Sequence, residues 1–121
     1  MVRIEKIDWL DEERCEGFLL LTDDTFKLTV FSDGTFWKEN QAFQDDIFIF
    51  DETLLTLVNT RTASVKLITE NEQELVGELS YSPNAKLIIG DFNIDLEGLV
   101  LPNDVNEGDY LRIIVTRLDT Y

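Results

Sequence analysis

Apolar residues in this chain recur with a period of two, in short runs that restart about every 8 to 12 residues, and no stretch sustains the 3.6-residue period of an amphipathic helix. That rhythm points to an all-β architecture, because alternation sorts successive side chains to the two faces of a pleated strand. Phe92-Asn93-Ile94-Asp95-Leu96 is the clearest instance, with Phe92, Ile94 and Leu96 on one face and two polar residues on the other. Phe26-Lys27-Leu28-Thr29-Val30 repeats the pattern. Asp33-Gly34 follows it, a pair suited to a type I′ turn, so Phe26 to Phe31 is expected to fold back onto Thr35 to Trp37. Gly17 to Leu21, Ile47 to Phe50, Leu54 to Val58, Val65 to Ile68, Leu75 to Tyr81 and Leu87 to Ile89 are apolar on both faces or only partly alternating, as strands covered on both sides are. Tyr110 to Leu118 is the longest β-branched stretch and is expected to close the sheet, with Arg112 and Arg117 paired to carboxylates on neighbouring strands.

Turn-forming pairs separate these runs: Asp23-Asp24, Asp33-Gly34, Asp45-Asp46, Asn71-Glu72, Ser82-Pro83-Asn84, Pro102-Asn103 and Glu107-Gly108-Asp109. Two segments suit a short helix, Asp8 to Glu16 and Asp51 to Leu57, the second because Asp51-Glu52 would sit well at a helix N-terminus. The expected fold is an antiparallel small barrel or sandwich with at most one or two short helices. A length of 121 residues fits one domain, residues 1–121. An acidic turn ahead of an apolar strand occurs in both halves, at Gln44-Asp45-Asp46-Ile47-Phe48 and Asn106-Glu107-Gly108-Asp109-Tyr110. Two similar β halves, 1–60 and 61–121, are one reading of this echo, and the generic look of acidic turns is the other.

The stretch Ile94-Asp95-Leu96-Glu97-Gly98-Leu99-Val100-Leu101-Pro102-Asn103-Asp104-Val105-Asn106-Glu107-Gly108-Asp109-Tyr110-Leu111-Arg112-Ile113 resembles the strand, proline, Glu-Gly-Asp, strand segment of small OB-like β-barrel proteins of unknown function. It covers about a sixth of the chain. The resemblance implies a barrel, OB-like or a duplicated small one, and carries over no functional residue. Nucleic-acid-binding OB folds present basic and aromatic residues on their central strands, and the strands here are poor in bases.

Charge narrows the partners. Ten basic residues stand against 25 acidic ones, for a formal net charge of −15, so the surface repels phosphate and attracts cations or basic proteins. With no histidine there is neither a Ser-His-Asp triad nor an imidazole metal ligand, and one cysteine builds no zinc site. Glycines form no phosphate-cradling loop. Cys15 lies among Asp11, Glu12, Glu13 and Glu16, which disfavour its thiolate, and it reads as an idle thiol. Asp23-Asp24, Asp45-Asp46 and Asp51-Glu52 read as solvated turn residues rather than halves of an acid/base pair. Asp91, Asn93, Asp95 and Glu97 alternate oxygen ligands like the start of a calcium loop. Leu96, however, stands where such a loop needs glycine, and Phe92, Ile94 and Leu96 mark a strand face instead.

These features make an enzyme the weakest expectation and call for no cofactor or metal. The first expectation is a non-enzymatic acidic protein that binds a basic protein partner, as an inhibitor, an immunity-type protein or a nucleic-acid mimic. The alternative is an OB-like module binding a small ligand, a peptide or a nucleic acid; direct nucleic-acid contact is not expected, because the bases are scattered among acids. The candidate interface comprises Phe36 and Trp37, with Trp37 at a rim followed by the polar Lys38 to Ala42, together with Asp45, Asp46, Asp91, Asp95 and Glu97. Phe43 and Phe48 lie near that aromatic pair, and Trp9 and Tyr121 add rings toward the ends. No apolar run reaches the roughly 18 to 20 residues of a spanning helix, and Met1 to Lys6 has no signal-peptide core behind it, so a cytoplasmic, membrane-free protein is expected.

Overall fold

The computed structural model describes residues 1–69, 72–81 and 84–120. Asn71 of one expected turn, Ser82 and Pro83 of another, and the Tyr121 ring lie outside them. The described residues form an all-β protein without helices: β1 (Arg3–Asp11), β2 (Glu16–Thr22), β3 (Lys27–Asp33), β4 (Ile47–Val58), β5 (Ser64–Leu67), β6 (Gln73–Ser80), β7 (Lys86–Ile89), β8 (Phe92–Asp95) and β9 (Tyr110–Thr120). Among them no helix is long and apolar enough to cross a membrane.

The strands lie in the order β1-β2-β3-β9-β4-β8-β7-β6-β5, and an additional β9–β6 pairing closes β9, β4, β8, β7 and β6 into a small barrel. β6, β7 and β8 form an antiparallel meander. The chain then returns through residues 96–109 to lay β9 beside β6, which is a Greek key, and β4 completes the ring. All pairings are antiparallel except two short contacts, β3 with β9 and β4 with β8. Barrel closure leaves the inward residues fully covered: Leu75, Leu79, Leu87, Ile89, Ile94, Leu111, Ile113 and Val115 have no exposed surface, and Phe92 and Leu96 almost none. The β1–β3 meander adds its inner face, Ile4, Leu19, Leu21, Leu28 and Val30, to the same core.

Several local expectations are corrected. Asp8 to Glu16 supplies the end of β1, a turn and the first residue of β2 rather than a helix. A register shift between Trp9 and Asp11 breaks the alternation there, which hides the strand from a period-two reading. Asp51 to Leu57 lies inside the single strand β4, which joins the runs expected as two. Register shifts at Ile49/Asp51, Asp51/Glu52 and Glu52/Leu54 turn both acids to water while the ladder with β9 continues. Phe26 to Phe31 does not fold back onto Thr35 to Trp37. β3 pairs with β2 on one edge and with β9 at Phe31 and Ser32 on the other, so no free edge is left for a hairpin at Gly34. Arg112 meets Glu74 of neighbouring β6 at 2.8 Å as expected, but Arg117 pairs with Asp119 on its own strand.

Asp23 ties the meander to the barrel. Its carboxylate accepts from the backbone N–H groups of Phe26 at 2.7 Å, Thr25 at 2.9 Å and Asp91 at 2.9 Å, the last in the β7–β8 turn, while the Met1 ammonium pairs with Asp91. Burial pushes the Asp23 carboxyl up, but these donors outweigh it and hold the group below the usual aspartate range. A carboxylate depressed in the folded state contributes stability that is complete above its unfolded value, about 3.9, and lost as pH falls through the folded value. Asp23→Asn is therefore expected to cost about 1 to 3 kcal/mol at pH 7, because one donor then faces an amide, and the deficit should narrow as pH falls below about 3.9. Urea unfolding at pH 7 and at a pH below that value reads the change.

Candidate functional site

Near Thr116 the central strand β9 exchanges one neighbour for another. Its residues up to Val115 pair with β6, whereas Asp119 and Thr120 pair with β3. Between these contacts the sheet forks, and Gln73 stands at the apex. Its carbonyl oxygen accepts from the Thr29 N–H at 2.9 Å, and its amide donates to the Thr29 carbonyl, also at 2.9 Å, so one side chain reproduces a β-bridge between β3 and β6. Gln73 is buried. By alternation it occupies the face of Leu75 and Leu79, and it is polar because Thr29 would otherwise leave a backbone donor and acceptor unmet.

The fork opens into a groove of about 590 Å³. Its floor is the outer face of the β1–β3 meander, where the pairing register sets side chains in rows across three strands. Lys6, Leu20 and Thr29 form one row, and Asp8 and Phe18, beside Phe31, the next; Asp11, Glu16 and Asp33 form a third row beyond the groove lining. Leu118 lies in one wall, and Leu10 and Leu67 stand at the lips with more than half their surface exposed. Leu10 belongs to β1 and Leu67 to β5, the two terminal strands of the sheet, so both ends of the sheet meet at this opening.

Arg117 forms part of the wall. Its guanidinium lies 4.2 Å from the Phe31 ring centroid and 4.0 Å from that of Phe50, and it makes a bidentate pair with Asp119 at 2.6 and 2.8 Å. The hydrogen bonds to Asp119 hold its pKa above the ordinary arginine value. With its charge matched and both faces covered, Arg117 acts as packing between β3 and β4 rather than as a free cation. The Thr116 hydroxyl donates to Asp51 at 2.8 Å and fixes the adjoining bulge.

The residues singled out from sequence are dispersed. Trp37 is buried, with its indole N–H donating to Ser32 at 2.8 Å and its ring 5.3 Å from Phe43, which corrects its expected place at a rim. Phe36 is exposed and stacks on Trp9 at 5.5 Å, away from the groove lining. Asp45 and Asp46 are exposed ahead of β4, whose first residues pair in parallel with β8, Ile47 with Ile94 and Phe48 with Asp95. Asp91 lies in the exposed β7–β8 turn. The Asp95 carboxylate accepts from the Glu97 N–H at 2.8 Å, and Glu97 itself is exposed. Phe92, Ile94 and Leu96 point into the core, so Asn93 and Asp95 lie along a strand face and do not encircle a turn. Among the described residues no three acidic or cysteine side chains converge as a metal site would require. Cys15 is free, at a φ of 56° in the β1–β2 turn.

No protein-family model, curated protein or solved structure matches this chain. The groove residues went unrecognised in the sequence because they come from strands β1, β2, β3, β5, β6 and β9, brought together only by the fork. The one local signal is Gln73, a polar residue in phase with inward-facing leucines.

Proposed function

We propose that the protein is a non-enzymatic, acidic binding protein whose partner is a basic protein. One observation carries this reading: five of the ten cations are paired with carboxylates of the same chain. Arg3 pairs with Asp24, Arg14 with Asp11, Lys27 with Glu5, Arg112 with Glu74 and Arg117 with Asp119. Against a net charge of −15, the remaining carboxylates set the sign of the surface, and such a surface accelerates encounter with a basic cleft or tail. The same pairing leaves fewer bases free to displace counterions, as direct nucleic-acid binding requires.

A second reading rests on the barrel. Five strands closed through a Greek key support an OB-like assignment, and the groove supports a module that holds a ligand or peptide. The two readings meet if the basic partner enters the groove.

The test is to immobilise the protein, expose it to lysate of its own host and wash at roughly 0.05 and then 0.5 M salt, where screening lengths fall from about 14 to 4 Å. A basic protein held near one-to-one at low salt and released at high salt is the expected result. Recovery of no basic protein at either salt overturns the charge-based reading.

A further inference from the structure

We infer that the open edge of β5 receives an extended segment of a partner protein in which acidic residues alternate with apolar ones. This contact is separate from the reading of the chain as a binder of basic proteins and adds a second surface of opposite preference.

The backbone is free to pair there. β5 is a terminal strand, and its register with β6 runs unbroken from Ser64 with Val76 to Leu67 with Gln73. The Ile68 N–H donates to the Glu72 carbonyl, which continues that register and fixes its parity. Lys66 and Ser64 therefore turn their N–H and C=O groups toward β6, whereas Val65 and Leu67 turn theirs to the open side. Among the described residues no strand or loop covers that side. An added strand would take up these groups, its main-chain bonds supplying affinity and its alternate side chains specificity.

The local charge selects an acidic partner. In a chain with 25 acids, residues 53–69 contain none, and their only charges are Arg61 and Lys66. Neither base makes an ion pair among the described residues. Lys66 lies opposite Glu74 in the register, but that carboxylate is taken by Arg112 at 2.8 Å. At about 0.15 M salt charges are screened beyond roughly 8 Å, so a strand at this edge meets the nearby bases more than the net −15 of the whole.

Alternation then assigns the two faces of the occupant. Leu67, 70% exposed, stands at the lip of the groove, and Val65 shares its face, while Lys66 lies on the other. Residues directly opposite each other in paired strands share a face. Those opposite Val65 and Leu67 accordingly face the groove, where Phe18, Leu20 and Leu118 are apolar, and would take Leu67 out of water. The charges lining the groove are Lys6 and Arg117 against Asp8, so that face does not repel an acidic segment. The residue opposite Lys66 faces away from the groove and meets the free ammonium as a cross-strand partner.

The test uses the full chain labelled with nitrogen-15, at roughly 0.15 M salt, with three synthetic probes: an octapeptide alternating glutamate and valine, one alternating lysine and valine, and octaglutamate. The glutamate-valine peptide is expected to shift the amides of Ala63 to Ile68 together with those of Leu20 and Leu118, and to bind at least about tenfold more tightly than either of the others. Lys66→Glu, at an exposed position, should weaken that peptide about tenfold and reverse the preference in favour of the lysine-valine peptide. Leu67→Thr, also exposed, should weaken both alternating peptides while the barrel amides keep their native shifts. Equal or tighter binding of the lysine-valine peptide by the native chain would overturn the charge assignment. Shifts that leave Ala63 to Ile68 unmoved, or failure of the glutamate-valine peptide to bind, would overturn the edge as a docking site and leave the basic-partner reading standing. Self-association that maps to the β5 amides without peptide would overturn the proposal in favour of a second copy of this chain.

Discussion

Replacing Gln73 by leucine should lower stability by about 2 to 4 kcal/mol, a large share of the roughly 5 to 15 kcal/mol that holds a domain of this size together. The volume is nearly conserved, so little of this is a packing effect. The Thr29 N–H and carbonyl lose their partners at the part-buried apex of the fork, and each orphaned group costs up to about 1 to 3 kcal/mol. The loss should be local as well as global. β3 touches the barrel through its contact with the last residues of β9, through Gln73 and through the inner-face core, so hydrogen exchange is expected to quicken on β1 to β3 more than on β6 to β9. Gln73→Glu separates the two bonds. It keeps an acceptor for the Thr29 N–H but turns a second carboxylate oxygen toward the Thr29 carbonyl. Its folded-state pKa is thereby raised, so its deficit relative to the native protein should shrink as pH falls through that value and the acid regains a proton to donate. Chemical unfolding monitored at pH 7 and pH 4 measures this narrowing. A Gln73→Leu variant with native stability would show that the fork is closed by the core alone.

Gly77→Ala should be more severe than alanine at the open turn glycines Gly34, Gly98 and Gly108, costing about 3 kcal/mol or more and impairing barrel closure. A Cβ there would stand 2.7 Å from the Ile88 carbonyl oxygen and the Ile89 side chain and 2.9 Å from Leu87. Two of these contacts are to buried core side chains and one to backbone, so no flexible tip can move aside. The crowding follows from topology. At Gly77 one edge of β6 passes from β5 to β7 while the other stays paired with β9, and the strand must bend to do so. Gly34→Ala is the control. Gly34 has a φ of +94° but nothing within 4 Å, so alanine there meets only a backbone penalty of about 1 kcal/mol. Thermal melts of the two variants should differ by several degrees; equal shifts would show that the β6–β7 contact yields without cost.

Strand existence was legible wherever apolar residues alternated or ran together. Phe92 to Leu96, Gly17 to Leu21, Leu75 to Tyr81 and Tyr110 to Leu118 all lie in or directly continue strands whose inward residues match the pattern. The two helix misreadings share one cause. At Trp9 to Asp11 and at Ile49 to Leu54 an extra residue enters one strand of a pair, so the chain remains extended while its sequence loses period two. Trp37 was misplaced for a different reason. An aromatic residue after a turn suits either a rim or a core, and its burial depended on Ser32 and Phe43 accepting it. Phe36, its neighbour in sequence, faces the opposite way and remains exposed.

Local composition was sufficient for the all-β class, for the acidic surface and for the absence of imidazole chemistry, because each depends on which residues are present and how neighbours alternate. The closed barrel, the fork and the acidic row required the folded chain. Alternation decides which face a side chain takes but not which strand lies beside it, and a slip of one residue would turn every side chain of a strand to its other face. The long-range pairing of β9 with β6, β4 and β3 sets those neighbours and opens the fork, while the β1–β2–β3 register sets Asp11, Glu16 and Asp33 abreast.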